Sequence, residues 1–180
     1  MFTLDPECIE IEIARRREMK PIAAEHSQYF EEYKPILVAK ATEIAMRASH
    51  SYRGFTVGCA LLAWNPRAYD DKDIYKIFRG ANIKVSKECS TVCAESIAIG
   101  AARAEGYPLV IGIVVVGRAQ TDSASGLHPA TLHPCGDCRT RMTKLPEVQM
   151  ETRIVTVDIN DEFKREEFTV KELLALHNHN

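Results

Sequence analysis

The stretch CAESIAIGAARAEGYPLVIGIVVV, residues 93–116, decides the fold class of this chain. Its first half is alanine-rich, with Ile97, Ala101 and Ala104 on one stripe, and Gly106 followed by Pro108 ends it as helices end. Its second half, Leu109 to Val116, is a continuous apolar run, the mark of a strand covered on both faces. A helix leading directly into a doubly covered strand belongs to a layered α/β domain.

The same reading extends in both directions. Downstream, a loop from Gly117 to His133 leads into a helix over about Cys135 to Leu145, stopped by Pro146. Arg153 to Ile159 gives a further strand, and Thr169 caps a short last helix, Val170 to His177. Upstream, Phe55 to Ala63 and Tyr75 to Gly80 read as an antiparallel pair of strands around a polar connection. Pro35 is suited to the first position of a helix that carries Leu37, Ala41, Ile44 and Ala48 on one face. The succession predicts helices on both sides of a mixed sheet.

Residues 1–33 leave two readings open: Asp5-Pro6-Glu7 can start a helix, whereas Cys8 to Ile13 alternates like a strand. They form an N-terminal extension of unknown role before a domain over 34–180, and Arg15 to Arg17 read as a solvated basic cluster.

The chain has 180 residues, 46% hydrophobic and 27% charged, the balance of one globular domain. A net charge of -2 supplies no general attraction to phosphate backbones, so a free small molecule is the expected partner and nucleic acid is not. Met1 to Glu10 has acidic residues where an export signal is basic, and the apolar run Leu109 to Val116 is far shorter than the about 20 residues a membrane span needs. The expectation is a cytoplasmic chain with no membrane contact. Its six cysteines, Cys8, Cys59, Cys89, Cys93, Cys135 and Cys138, should then be reduced thiols. Cys8 and Cys59 read as small core residues.

Pro134-Cys135-Gly136-Asp137-Cys138 sets two thiols three apart at a helix start, where both project from one turn and can share a tetrahedral metal. Cys93-Ala94-Glu95 opens the other helix in the same way and can supply a third sulfur. Three sulfurs leave one corner of a zinc tetrahedron open for a water, and Glu95 can reach that corner as general base and acid without being a ligand. Rival readings are a structural zinc closed by His133 or Cys89, and a redox pair at Cys135 and Cys138.

C-A-E followed some forty residues later by P-C-x-x-C is the arrangement of zinc nucleobase deaminases. The chain resembles the cytidine deaminase family in more than the metal motif. Tyr52-Arg53-Gly54-Phe55-Thr56-Val57-Gly58 is similar to that family's Y-S-x-F-x-V-G, Gly80-Ala81-Asn82-Ile83 to its G-x-N-V, and Thr169 to Leu174 to its T-V-x-E-L-L. The resemblance implies a three-layer α/β/α fold with a mixed five-stranded sheet and the small homotetrameric, three-cysteine zinc form of the family, or a homodimer. It implies a free nucleoside as substrate, cytidine or deoxycytidine. Phe55 would pack on the base and Asn82 bind the ribose 3'-hydroxyl. Glu95 would protonate N3 and pass a proton to the departing ammonia.

Four positions depart from the pattern. Lys84 replaces the Glu of N-x-E, which points to an anionic group on the substrate. Ser96 replaces the Arg of C-A-E-R that softens the thiolate charge, leaving Arg139 for that task. The tail reads Leu174-Ala175-Leu176-His177-Asn178 where the family carries L-L-P-x-x-F, so the stacking ring is missing. The loop 117–133 is longer than usual and brings His128 and His133 near the site. Deamination of another cytosine-bearing molecule, such as blasticidin S or an anionic cytidine derivative, is the alternative enzyme. A catalytically silent zinc fold that serves assembly is the alternative from another class.

Overall fold

Alternation along the strands feeds two separate cores, one on each face of a single sheet. The computed structural model describes residues 24–48, 52–120 and 126–177. Five strands, β1 (Gly58–Trp64), β2 (Tyr75–Ala81), β3 (Leu109–Gly117), β4 (Val148–Asp158) and β5 (Asp161–Thr169), lie in the order β2-β1-β3-β4-β5. β3 and β4 run parallel and every other pair is antiparallel.

Helix α1 (Ala24–Arg47) covers one face, setting Phe30, Leu37, Ala41 and Ala45 on Ala60, Leu62, Val114 and Val155. Helices α2 (Ala94–Ala104), α3 (Gly136–Lys144) and α4 (Val170–His177) cover the other. There Ala98, Met142 and Leu173 pack on Leu61, Val115 and Ile154. This is the three-layer α/β/α architecture with a mixed five-stranded sheet that the sequence implied. The strand phase slips once in β3: Ala63 pairs with Val110 and Leu62 with Gly112, so Ile111 is an extra residue. That bulge turns Val110 and Ile113 to the same core although they are three apart. Among the described residues no helix is long and apolar enough to cross a membrane.

The first strand begins at Gly58 rather than at Phe55, and the sequence reading differs from the elements at four further points. First, α1 starts at Ala24, so Pro35 lies inside the helix and the expected boundary at 33/34 falls within it. An interior proline removes one intrahelical hydrogen bond, but the turns on either side are anchored by fully buried Phe30 and Leu37. Second, Ala45 rather than Ile44 continues the buried stripe of α1. Third, α2 turns Ala94, Ala98 and Ala102 to the sheet instead of Ile97, Ala101 and Ala104. Small residues allow a close approach, and Gly80 sits beneath them, where a Cβ would overlap the Ala94 carbonyl. Fourth, β4 begins at Val148, and β5 follows it as a strand that residue periodicity did not reveal. The readings on Asp5 to Ile13 and on Arg15 to Arg17 lie outside the described residues.

The end of β5 forms a reciprocal cap for α4. The Thr169 N–H donates to Glu172 Oε2 (2.7 Å), and the Glu172 N–H donates to Thr169 Oγ1 (3.2 Å). Thr169→Ala is expected to reduce the unfolding free energy by about 1 kcal/mol. Chemical denaturation should show the loss as a lower midpoint at unchanged slope.

Candidate active site

Both cysteine-bearing helices start at the same place in space. Cys93 is the N-cap residue of α2 and Cys135 that of α3, each with extended backbone and neither capping its helix with the side chain. Cysteine is not among the favoured capping residues, so the two thiols occupy positions where local stability would favour Ser or Asp. Cys138 follows one turn inside α3 and is buried. The three sulfurs lie within 4.8 Å of one another, with Cys93 Sγ and Cys135 Sγ 3.5 Å apart. Zinc–sulfur bonds of about 2.3 Å place the sulfurs of a tetrahedral site roughly 3.8 Å apart. The donor set and its spacing therefore fit zinc.

The thiols differ in acidity. Hydrogen bonds from Cys138 and Cys93 hold the Cys135 thiol well below its usual range. Its position at a helix N-terminus favours the anion further. The hydrogen bond to Cys135 pushes Cys93 up to about 12, so the first proton leaves the triad from Cys135.

Cys93 and Cys135 border a cavity of about 630 Å³ whose walls include Phe55, Asn82, Glu95, His133, Arg139 and His177. Glu95 is 4% exposed, and burial pushes its carboxyl up to about 7, with the Cys135 charge adding to the rise and Arg141 opposing it. A carboxyl of that acidity, one turn from the sulfurs, can both take and give a proton near neutrality.

Phe55 reaches the wall from a tight turn in which Arg53 (φ 57°) and Gly54 (φ 68°) are both left-handed. Asn82 lies in the wall too, and its amide ties down the segment leading into β1. The Val57 N–H donates to Asn82 Oδ1 (2.7 Å) and Asn82 Nδ2 donates to the Phe55 carbonyl (2.9 Å). Lys84 is not brought to the wall: its Nζ donates to the Cys89 carbonyl at 2.8 Å and steadies the turn between them. Cys89 is exposed, Cys59 is buried in the core as expected, and His128 is exposed and outside the wall. Both ring nitrogens of His133 are engaged, Nδ1 with His177 Nε2 (3.0 Å) and Nε2 with Glu166 Oε2 (3.1 Å).

Beside Cys138 the charge of the sulfur is met by a relay. Arg141 Nη1 donates to Ser96 Oγ at 3.0 Å, and Ser96 Oγ lies 3.9 Å from Cys138 Sγ. A guanidinium only donates, so the serine proton is left to point at the sulfur. Arg139, the residue expected in this role, donates from Nη1 to the Pro134 carbonyl (2.8 Å) and shapes the chain entering Cys135. Sequence reasoning passed over Arg141, although it stands three residues after Cys138 on one helix, where side chains are neighbours. Ser96→Ala and Arg141→Gln should each speed zinc loss to a chelator by about tenfold, the lower range for such supporting groups. Stopped-flow competition with a chromogenic chelator checks this.

A helix-borne centre of three cysteines with a buried carboxylate at the end of an open cavity defines a class, the zinc-site proteins that can hold a reactive water beside a proton carrier. The family profile of the cytidine and deoxycytidylate deaminase zinc-binding region matches residues 32–155. A probable cytidine deaminase of Dictyostelium discoideum is 38% identical over 88 residues, which are 49% of this chain and 48% of that protein. This chain thus matches about half the length of that curated relative. The structure of cytidine deaminase from Burkholderia pseudomallei superposes with a TM-score of 0.58 at 25% identity, covering 77% of this chain and 94% of the other. That of Mycobacterium leprae cytidine deaminase shares the fold, with a TM-score of 0.52 at 21% identity over 78% and 95% of the two chains. The chain belongs to the cytidine and deoxycytidylate deaminase zinc-binding family.

Proposed function

We propose that the protein is a zinc-dependent aminohydrolase that converts cytidine or deoxycytidine to the uridine counterpart with release of ammonia. The observation that carries this reading is the convergence of Cys93, Cys135 and Cys138 beside the buried Glu95 at one end of a substrate-sized cavity. Zinc, when bound by the three sulfurs, makes a water easier to deprotonate and so supplies a nucleophile at neutral pH.

The other steps belong to the chain's own side chains. Glu95 would take one proton from the water and deliver it to N3 of the ring, then take the remaining proton of the added hydroxyl and deliver it to the amino group, which departs as ammonia. Its burial matches this duty, since a carboxyl raised toward neutrality gives up a proton as readily as it accepts one. Phe55 offers an apolar face for the base. Asn82 holds Phe55 and Val57 in place while sitting 6% exposed in the same wall, where a ribose hydroxyl would meet it. Ser96 and Arg141 temper the charge of Cys138. Assembly as a homotetramer belongs to the same reading. It is supported by the exposed Ile83, Val85 and Val92, which lie in and beside a short bridged segment preceding Cys93.

The test is a panel of cytidine, deoxycytidine, their phosphates and blasticidin S with zinc-loaded protein, read by ultraviolet absorbance and ammonia release. Turnover of the free nucleosides supports the reading. Preference for a phosphate or for blasticidin S moves the substrate within the same chemistry. Silence across the panel at full zinc content leaves the assembly module as the function.

A further inference from the structure

On the outer strand Asp161 to Arg165 are exposed, whereas Glu166 is partly buried and its Oε2 receives three donors. These are the Thr131 N–H (2.9 Å), the Thr131 hydroxyl (2.6 Å) and His133 Nε2 (3.1 Å). The Thr156 hydroxyl of β4 stands 2.6 Å from that of Thr131 and closes the cluster from below. Burial alone would raise the Glu166 carboxyl, but the bonds from Thr131 and His133 outweigh it and hold it below its ordinary value.

From His133 the chain of contacts continues into the cavity. His133 Nδ1 lies 3.0 Å from His177 Nε2, the two rings meet edge to face at 5.3 Å, and both residues are buried and form part of the wall. His177 is the last residue of α4. The outer strand, the loop that delivers Cys135 and the end of the C-terminal helix are thereby tied together by one run of hydrogen bonds. Buried polar networks cost desolvation at every member, and an apolar wall would avoid that cost. Residues that serve only to fill space need none of it. A wall that must present a planar ring with a polar edge at a set position does, since pocket walls take specificity from a few fixed polar groups.

We propose that Glu166 is a positioning residue which, through His133, fixes His177 as a specificity-determining part of the substrate cavity. The inference rests on reading that cavity as the substrate site. In the homologous pattern the tail carries an aromatic ring one residue further on, at the position of Asn178. Here the last turn of α4 is instead fastened to the wall of its own subunit.

The zinc-loaded full chain, Glu166→Gln, His177→Ala and the double variant make the test. Loss of a bond to a charged group should raise KM of Glu166→Gln by about tenfold with kcat changed far less. In the His177→Ala background the same substitution should add less than about twofold, because the group it positions is gone. Amide hydrogen exchange over Leu173 to His177 should quicken in Glu166→Gln at unchanged zinc content. Full additivity of the two substitutions, a fall in kcat at constant KM, or unaltered exchange would each overturn the proposal. Glu166→Asp keeps the charge and carries the same comparison if the glutamine variant does not fold. Should no compound of the panel be turned over, the deaminase reading fails, and the exchange measurement still decides whether Glu166 fixes the end of α4.

Discussion

Glu95→Gln is expected to keep its fold and its zinc while losing at least about a hundredfold in turnover, the usual consequence of removing a proton carrier. Gln has the shape of Glu and retains a carbonyl oxygen, so the buried position beside Ala94 and Ala98 stays filled. It cannot take a proton from water or hand one on, and that deficit falls on kcat. Stability should move the other way. In the metal-free protein burial raises the Glu95 carboxyl from 4.5 to about 7. The ionised form is thus disfavoured by folding, a contribution complete below pH 4.5 that is lost as pH rises through about 7. The variant, which carries no charge, should therefore melt at or above the wild-type temperature at pH 7.5, with the difference closing below pH 4.5. Metal analysis, ammonia release and thermal melts measure the three quantities. Undiminished turnover removes Glu95 from the mechanism.

Gly80→Ala should damage stability and site together. The added methyl group would overlap the Ala94 carbonyl and come within 2.9 Å of the Ala98 N, both backbone atoms that cannot swing aside as a side chain can. Relief requires lifting the first turn of α2, and that turn carries Cys93 and Glu95. Overpacking costs typically about 1–3 kcal/mol, and a clash with backbone belongs at the upper end. For a chain of this size that is a fall in Tm of about 6–12 °C. Displacing the carboxylate and one sulfur by about 1 Å should also cost on the order of a hundredfold in rate. A melt paired with a zinc determination reads both effects, and a variant with wild-type Tm and zinc would show that α2 does not need this close approach. Gly100→Ala is the control, because a Cβ there meets nothing within 4 Å.

How legible this was in the sequence depended on the kind of signal. The helix starts at Cys93 and Cys135 were readable because cysteine spacing, turn residues and chemistry agree there, and the three sulfurs converge as expected. α4 was readable to the residue, since Thr169 and Glu172 form a cap that local sequence alone specifies. β5 lacks such a signal. Six of its nine residues are charged and its pattern of exposure is nearly continuous, so it has no apolar alternation and owes its conformation to pairing with β4. The start of α1 was hidden for the opposite reason: Pro35 is a strong local marker, and burial of Phe30 one turn earlier overrides it. Around the cavity, residues in motifs could be named in advance, whereas His177 in its wall, and Arg141 and Glu166 behind it, are placed by contacts between distant segments. Lys84 shows the converse, a departure from a pattern that suggested a ligand and proves to hold a carbonyl of its own turn.

The charges of β5 carry a consequence for how copies of the chain can meet. A free strand rim ordinarily invites another chain to dock on its unused amide groups and grow the sheet into a filament. Here an incoming copy would have to strip water from lysine, arginine and acidic groups along nearly the whole rim before gaining a single bond. Growth by strand addition is thus opposed at that end, and among the described residues self-association is left to the β2 rim, the helical flanks and the loops around the cavity mouth.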